Sequence, residues 1–152
     1  MGPITLIGVL TFALIQTTAP PQPSLSDKRA VLRAVVAITT LPPAEVSKIA
    51  PAAEIDHDSE VARTETVRVV VSIQGCQPNA AGVCEATADV AAHRPDGSVH
   101  SEMKNIALTG GRGLATLGLK PDDVTGVYTV VATVRDPNAR RVAKAERLFG
   151  VK

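Results

Sequence analysis

The stretch GVYTVVATVRD at positions 126–136 leaves this chain little choice of fold. Tyr128, Val130, Ala132 and Val134 alternate with Val127, Thr129, Val131 and Thr133. A period of two places the sets on opposite faces of a β-strand, and both sets are apolar enough to be covered. Such a strand belongs inside a sheet, with neighbours on both sides. Other segments follow the same period. TETVRVVVSI (64–73) sets Val67, Val69, Val71 and Ile73 against Arg68, Val70 and Ser72, which predicts a strand with one buried face. CEATADVAAH (84–93) gathers Cys84, Ala86, Ala88, Val90 and Ala92 on one face. Further strands are expected from Val99 to about Leu108, over Leu114–Leu119, and in RRVAKAERLFGV beside the long strand. Between them lie RPDGS (94–98), TGGRG (109–113) and DPNA (136–139), rich in the residues that turns require. No segment after Pro43 shows helical periodicity over a helix's length. The pattern predicts an all-β chain folded as an antiparallel β-sandwich.

The N-terminal part reads differently. ITLIGVLTFALI (Ile4 to Ile15) is uncharged and mostly apolar, and it is shorter than the roughly twenty residues of a bilayer span. With small residues following at Thr17, Thr18 and Ala19, it fits the apolar region of a secretory signal over residues 1–19. Export to the periplasm or the extracellular space is the expectation, with no stable membrane span once the signal is removed. No Cys directly follows the run, so a bacterial lipid anchor is not indicated. Residues 20–43 read as a proline-stiffened linker followed by an ambiguous strand or short helix. Leu32, Val35 and Val36 share a helical face, whereas Leu32, Ala34, Val36 and Ile38 alternate as in a strand. Pro42 and Pro43 end the segment either way. The sandwich domain is expected over 44–152.

Composition removes several function classes. Sixteen basic and fifteen acidic residues leave a net charge of +1, which gives no bulk attraction to nucleic acid or to an anionic membrane. Tyr128 and Phe149 are the only aromatic residues beyond the N-terminal run, too few for a platform on which bases or sugars stack. No HExxH, GxSxG, Walker-type or GxGxxG motif occurs, so no catalytic residue is assigned and no cofactor is expected. TGGRGLA is Gly-rich, but it lacks the Lys-Ser/Thr end of a phosphate loop and reads as a hairpin turn.

Gly126-Val127-Tyr128-Thr129-Val130, behind an acidic loop with Pro121, Asp122 and Asp123, resembles the loop-to-strand corner of immunoglobulin-like sandwiches. The resemblance implies that the Tyr128 hydroxyl bonds back across the corner that Gly126 opens. Two departures separate the chain from antibody domains: Val130 stands where a Cys would form the inter-sheet disulfide, and there is no Trp. More broadly, HRPDGSVHSE, PDDVTGVYTVVATVRDPNA and the final LFGV resemble small exported bacterial proteins with an immunoglobulin-like or macroglobulin-like sandwich. The resemblance covers roughly 64–151. It implies a fold rather than an activity.

Four candidate sites remain. Glu54, Asp56, Asp58 and Glu60 recur every second residue, so an extended backbone would align them as a hard-cation site. No Gly enforces the turn of a calcium loop, and the segment reads instead as a solvated acidic edge. His57 sits within it. His93 and His100 flank the PDG turn and offer the alternative of a periplasmic metal-binding protein. The basic run of Arg135, Arg140, Arg141, Lys144 and Arg147 is either a docking surface or solvated charge that guards a strand edge. Last is CQPNAAGVC (76–84), with the only two cysteines. Its spacing is not that of a CxxC redox pair, and no His pair completes a zinc set. In an exported chain it predicts a Cys76–Cys84 disulfide that pins the base of a hairpin loop without crossing between sheets. Gln77, Pro78, Asn79 and Gly82 then form a candidate contact loop. The function expected is a non-enzymatic module that meets a protein partner in the cell envelope, using this loop, the PDG turn and the 109–113 turn.

Overall fold

The computed structural model describes residues 31–50 and 53–152. The signal segment and the first part of the linker lie outside the described residues. In chain order the elements are β1 (Arg33–Thr39), α1 (Pro43–Lys48), β2 (Glu60–Val61), β3 (Val67–Gln74), β4 (Thr87–His93), β5 (Val99–Ala107), a 3-10 turn (Thr109–Gly111), β6 (Arg112–Leu117), β7 (Gly126–Asp136) and β8 (Arg141–Val151). They form a three-stranded sheet, β1-β3-β6, and a five-stranded sheet, β2-β8-β7-β4-β5. The long apolar strand β7 lies between β8 and β4 as expected, but only its Tyr128, Val130, Ala132 and Val134 face is buried; on the other face Val127 is exposed and Thr129, Val131 and Thr133 are half-buried. All pairings are antiparallel except the short β2 against the end of β8. This is the strand order of an immunoglobulin-like β-sandwich in which β5 joins the sheet of β4 and β7.

The core sits between the sheets. Val67, Val69, Val71 and Ile73 of β3 face Ala88, Val90 and Ala92 of β4 and Tyr128, Val130, Ala132 and Val134 of β7, all buried. Tyr128 packs against Phe149 with ring centroids 5.7 Å apart. Burial of each such large side chain stabilises the fold by roughly 1.5–3 kcal/mol. The second face of β3 is also used. Val70 joins Ala37, Val46 and Ile55 in a smaller cluster on the outside of the three-stranded sheet. α1 supplies Val46 to that cluster. It begins with Pro43, whose fixed φ suits a first helical position. The Arg112 guanidinium closes the helix's far end, donating to the carbonyls of Ile49 (2.7 Å), Ala50 (3.0 Å) and Ala53 (3.1 Å).

The ambiguous segment before Pro42 is a strand. β1 pairs with β3 from Arg33↔Gln74 to Thr39↔Arg68, and Leu32, Val36 and Ile38 enter the main core. The described sandwich therefore includes residues ahead of 44. Two connections differ from expectation for one reason. β3 and β4 lie in different sheets, as do β5 and β6, so 75–86 and TGGRG cross between sheets and are not hairpins. RPDGS and the Asp136–Arg141 turn do close hairpins, β4–β5 and β7–β8.

Candidate functional site

Cys76 and Cys84 form a disulfide, with Cα atoms 6.0 Å apart. The bridge pins a crossover between the sheets rather than the base of a hairpin. Inside the loop, Asn79 is the organiser. Its Oδ1 accepts the N–H groups of Ala81 (2.9 Å) and Val83 (3.0 Å), and its backbone bonds to Val83 O and Gly82 N. Gly82 adopts φ +78, which a side chain would strain. Gln77, Pro78 and Gly82 are exposed, and Asn79 is half-buried beneath them.

The loop is moored to the β7–β8 turn. The Gln77 N–H donates to Asp136 Oδ2 at 2.9 Å, and the Asp136 side chain is fully buried. Arg141 Nη2 donates both to that oxygen (3.3 Å) and to Gly75 O (2.7 Å). Asn138 Nδ2 donates to Gln77 O and to Glu85 Oε2, each at 3.2 Å. Between loop and turn lies an open groove of about 440 Å³ lined by Gln77, Asn138, Ala139, Arg140 and Arg141. Arg140 holds φ at 52°, an unfavourable region for a residue with a side chain. A second groove, about 460 Å³, runs from Gly82–Thr87 to Ala107–Gly110, so the 109–113 turn borders the same loop. Sequence reasoning singled out the disulfide loop but missed Asp136 and Asn138. A signal existed for the first: Asp136 continues the inward parity of Tyr128, Val130, Ala132 and Val134.

The PDG turn lies at the other end of the sandwich, so the three expected contact elements do not converge. There Pro95 approaches Gly126 so closely that a Cβ on that glycine would meet Pro95 Cγ at 2.8 Å. The Tyr128 hydroxyl donates to Val124 O at 2.9 Å, closing the corner. Beside it, His100 Nε2 bonds Asp123 Oδ2 at 3.0 Å, both side chains buried, and the His100 ring meets the Tyr128 ring edge-on. Asp123 also accepts the Lys120 N–H at 2.7 Å. That backbone bond, then the bond from His100, holds its carboxyl below the usual range. Burial first, and the Asp123 charge second, push the Tyr128 hydroxyl up. His93 does not join His100. It falls on the outward parity of β4, with Nδ1 3.4 Å from Gly97 O, while His100 turns in against Tyr128.

The acidic stretch is a strap across one side of the sandwich, not a row of aligned carboxylates. Asp58 Oδ2 accepts the Thr40 N–H (2.8 Å) and hydroxyl (3.2 Å), and Glu60 pairs with Lys152 at 2.7 Å. Glu54 and Asp56 are exposed. His57, within the strap, bonds to backbone on both sides, at Ile38 N and Leu148 O. Among the described residues no three His, Cys, Asp or Glu side chains converge as a metal site. The basic run also divides. Arg141 and Arg147 turn to backbone carbonyls, and Arg135 pairs with Asp89 at 2.6 Å.

No protein-family model matches the chain. No curated protein matches it either. Solved structures similar to it include a superoxide reductase (neelaredoxin) from Ignicoccus hospitalis, at 15% identity and TM-score 0.43, covering 65% of this chain and 79% of that one. An immunoglobulin-like protein from Pseudomonas aeruginosa is similar at 16% identity and TM-score 0.39, covering 82% of this chain and 99% of that one. The class of this protein is therefore the one its own strand order defines, an all-β immunoglobulin-like sandwich.

Proposed function

We propose that this chain is a non-enzymatic exported β-sandwich module, periplasmic or on the cell surface, that acts by protein–protein contact. The contact surface is the end of the sandwich where the Cys76–Cys84 loop meets the Asp136–Arg141 turn. One observation carries this reading: an exposed loop is stapled by a disulfide and moored by a buried carboxylate, so its polar tips are held in one arrangement. Loops fixed on a rigid sheet are suited to recognition because little ordering remains to be done on binding. The strained Arg140 backbone beside the groove supports the same surface, because strain is retained where an arrangement is needed. Export is supported by the disulfide. No helix among the described residues is long and apolar enough to cross a membrane.

Site-specific photo-crosslinking in the native host tests the reading. A photoreactive residue at Gln77, Asn138 or Arg140 gives a discrete protein adduct in the envelope fraction, and one at Asp96, on the opposite end, does not. No adduct from the three loop positions, or the same adduct from Asp96, overturns the proposal.

A further inference from the structure

The strap of residues 55–61 does more than cover a side. It occupies backbone groups of β1, and of Thr40 just beyond it, that face away from β3. Ile38 N–H donates to His57 Nδ1 at 3.2 Å, Ile38 O accepts the Asp58 N–H at 2.8 Å, and Thr40 N–H donates to Asp58 Oδ2 at 2.8 Å. Arg147 reaches across from β8 to take Val36 O at 3.1 Å. On the other side, the strap meets the edge of β8 through His57 Nε2 and Leu148 O at 3.1 Å, and through Ser59 O and the Gly150 N–H at 2.7 Å. His57 is thus the one strap side chain described as bonding to the backbone of both β1 and β8.

These partners fix its protonation. A backbone N–H can only donate and a carbonyl can only accept, so Nδ1 must be bare and Nε2 must carry the hydrogen. The ring is neutral. A second proton could go only to Nδ1, where it would face the Ile38 N–H and break that bond. We propose that His57 is an acid-released latch, whose protonation frees the strap at Ile38 and uncovers the pairing edge of β1. An uncovered edge presents a row of unpaired backbone groups, which is a template for strand addition.

The charged groups around the ring are Arg147 from β8 and Asp58 from the strap itself, with opposite effects; Glu54 lies further along the groove that Arg147 lines. β1 brings no titratable side chain between Ala34 and Thr40. Burial, and then Arg147, hold the imidazole below its usual 6.5.

Amide exchange at Ile38 and Thr40, corrected for the intrinsic pH dependence, tests the latch between pH 7.5 and 5.0. Opening coupled to one proton becomes up to about tenfold more frequent per pH unit below 6.5, until the folded-state value is reached. In His57→Gln the side-chain carbonyl can accept and its amide can donate, but neither titrates. That variant keeps protection at pH 7.5 and loses the slope. Nitrogen chemical shifts of His57 in the unsubstituted protein give a second measure: an Nε2–H tautomer at pH 7.5, whose titration midpoint falls where the rise in exchange levels off. A flat exchange profile, the same slope in His57→Gln, or a His57 titration midpoint above the pH at which exchange is still rising each overturns the proposal.

Discussion

At the scale of single residues, two polar groups decide how the sandwich ends are held. Tyr128 is fully buried, yet its hydroxyl reaches Val124 O at the exposed corner. Tyr128→Phe keeps the ring packing and loses the hydrogen bond. Urea unfolding is expected to show about 1 kcal/mol less stability with an unchanged slope, since water can reach the freed carbonyl. Asp136 is the harsher case. Its carboxylate is buried, paired with Arg141 and bonded to Gln77 N. Asp136→Ala removes the buried carboxylate shared by Arg141 and the Gln77 N–H and unmoors the loop, at about 3 kcal/mol, the lower end of the range for breaking a buried pair. It is also expected to abolish crosslinking from Gln77. The first of these roles was legible because the Gly-x-Tyr corner is a local pattern. The second was only half legible. Parity alone turned Asp136 inward, and nothing local names partners that lie 59 and 5 residues away.

At the scale of elements, periodicity reports which face a residue occupies but not which sheet its strand joins. The buried faces of β3, β4 and β7 follow directly from alternation. The turns at 76–84 and 109–113 look like hairpin turns because short turns and sheet crossings use the same Gly, Pro and Asn chemistry. β1 satisfied both periods, and only its seven-residue pairing with β3 decides for the strand. α1, at six residues, is too short to leave a helical period. The disulfide closes a loop with a sequence separation of 8, so losing it in the Cys76→Ser/Cys84→Ser variant removes about 2–3 kcal/mol by the chain-entropy argument. Calorimetry of the paired variant against the oxidised protein measures this. At the opposite end, Gly126→Ala must adopt φ 132 and push Pro95 aside, so the corner and the β4–β5 turn strain together. A loss of about 2–3 kcal/mol is expected, within the usual range for backbone strain and overpacking. Gly97→Ala, which meets no neighbouring atom, bears only the backbone part.

At the scale of the whole molecule, the two ends and the strap respond to acid in different ranges. His57 is held below 6.5 in the folded state by burial and by Arg147. Its unfolded form therefore binds a proton first. Stability from this residue is complete above pH 6.5 and is lost as the pH falls from there toward the folded-state value. Asp123 is held below 3.8 by the Lys120 N–H and by His100. Its contribution is complete above pH 3.8 and is lost only as the pH falls below that. Asp89, which accepts the Asn105 N–H and pairs with Arg135, is depressed in the same direction and acts in the same lower range. Urea midpoints against pH should thus decline in two separate steps, one beginning near neutrality and one in strong acid. His57→Gln removes the upper step and leaves the lower. Asp123→Asn leaves the upper step and diminishes the lower one, since its amide oxygen still accepts from His100 but no longer titrates, while Asp89 remains. A single decline confined to strong acid would mean that the folded state does not hold His57 below its usual 6.5, and it would overturn the latch as well.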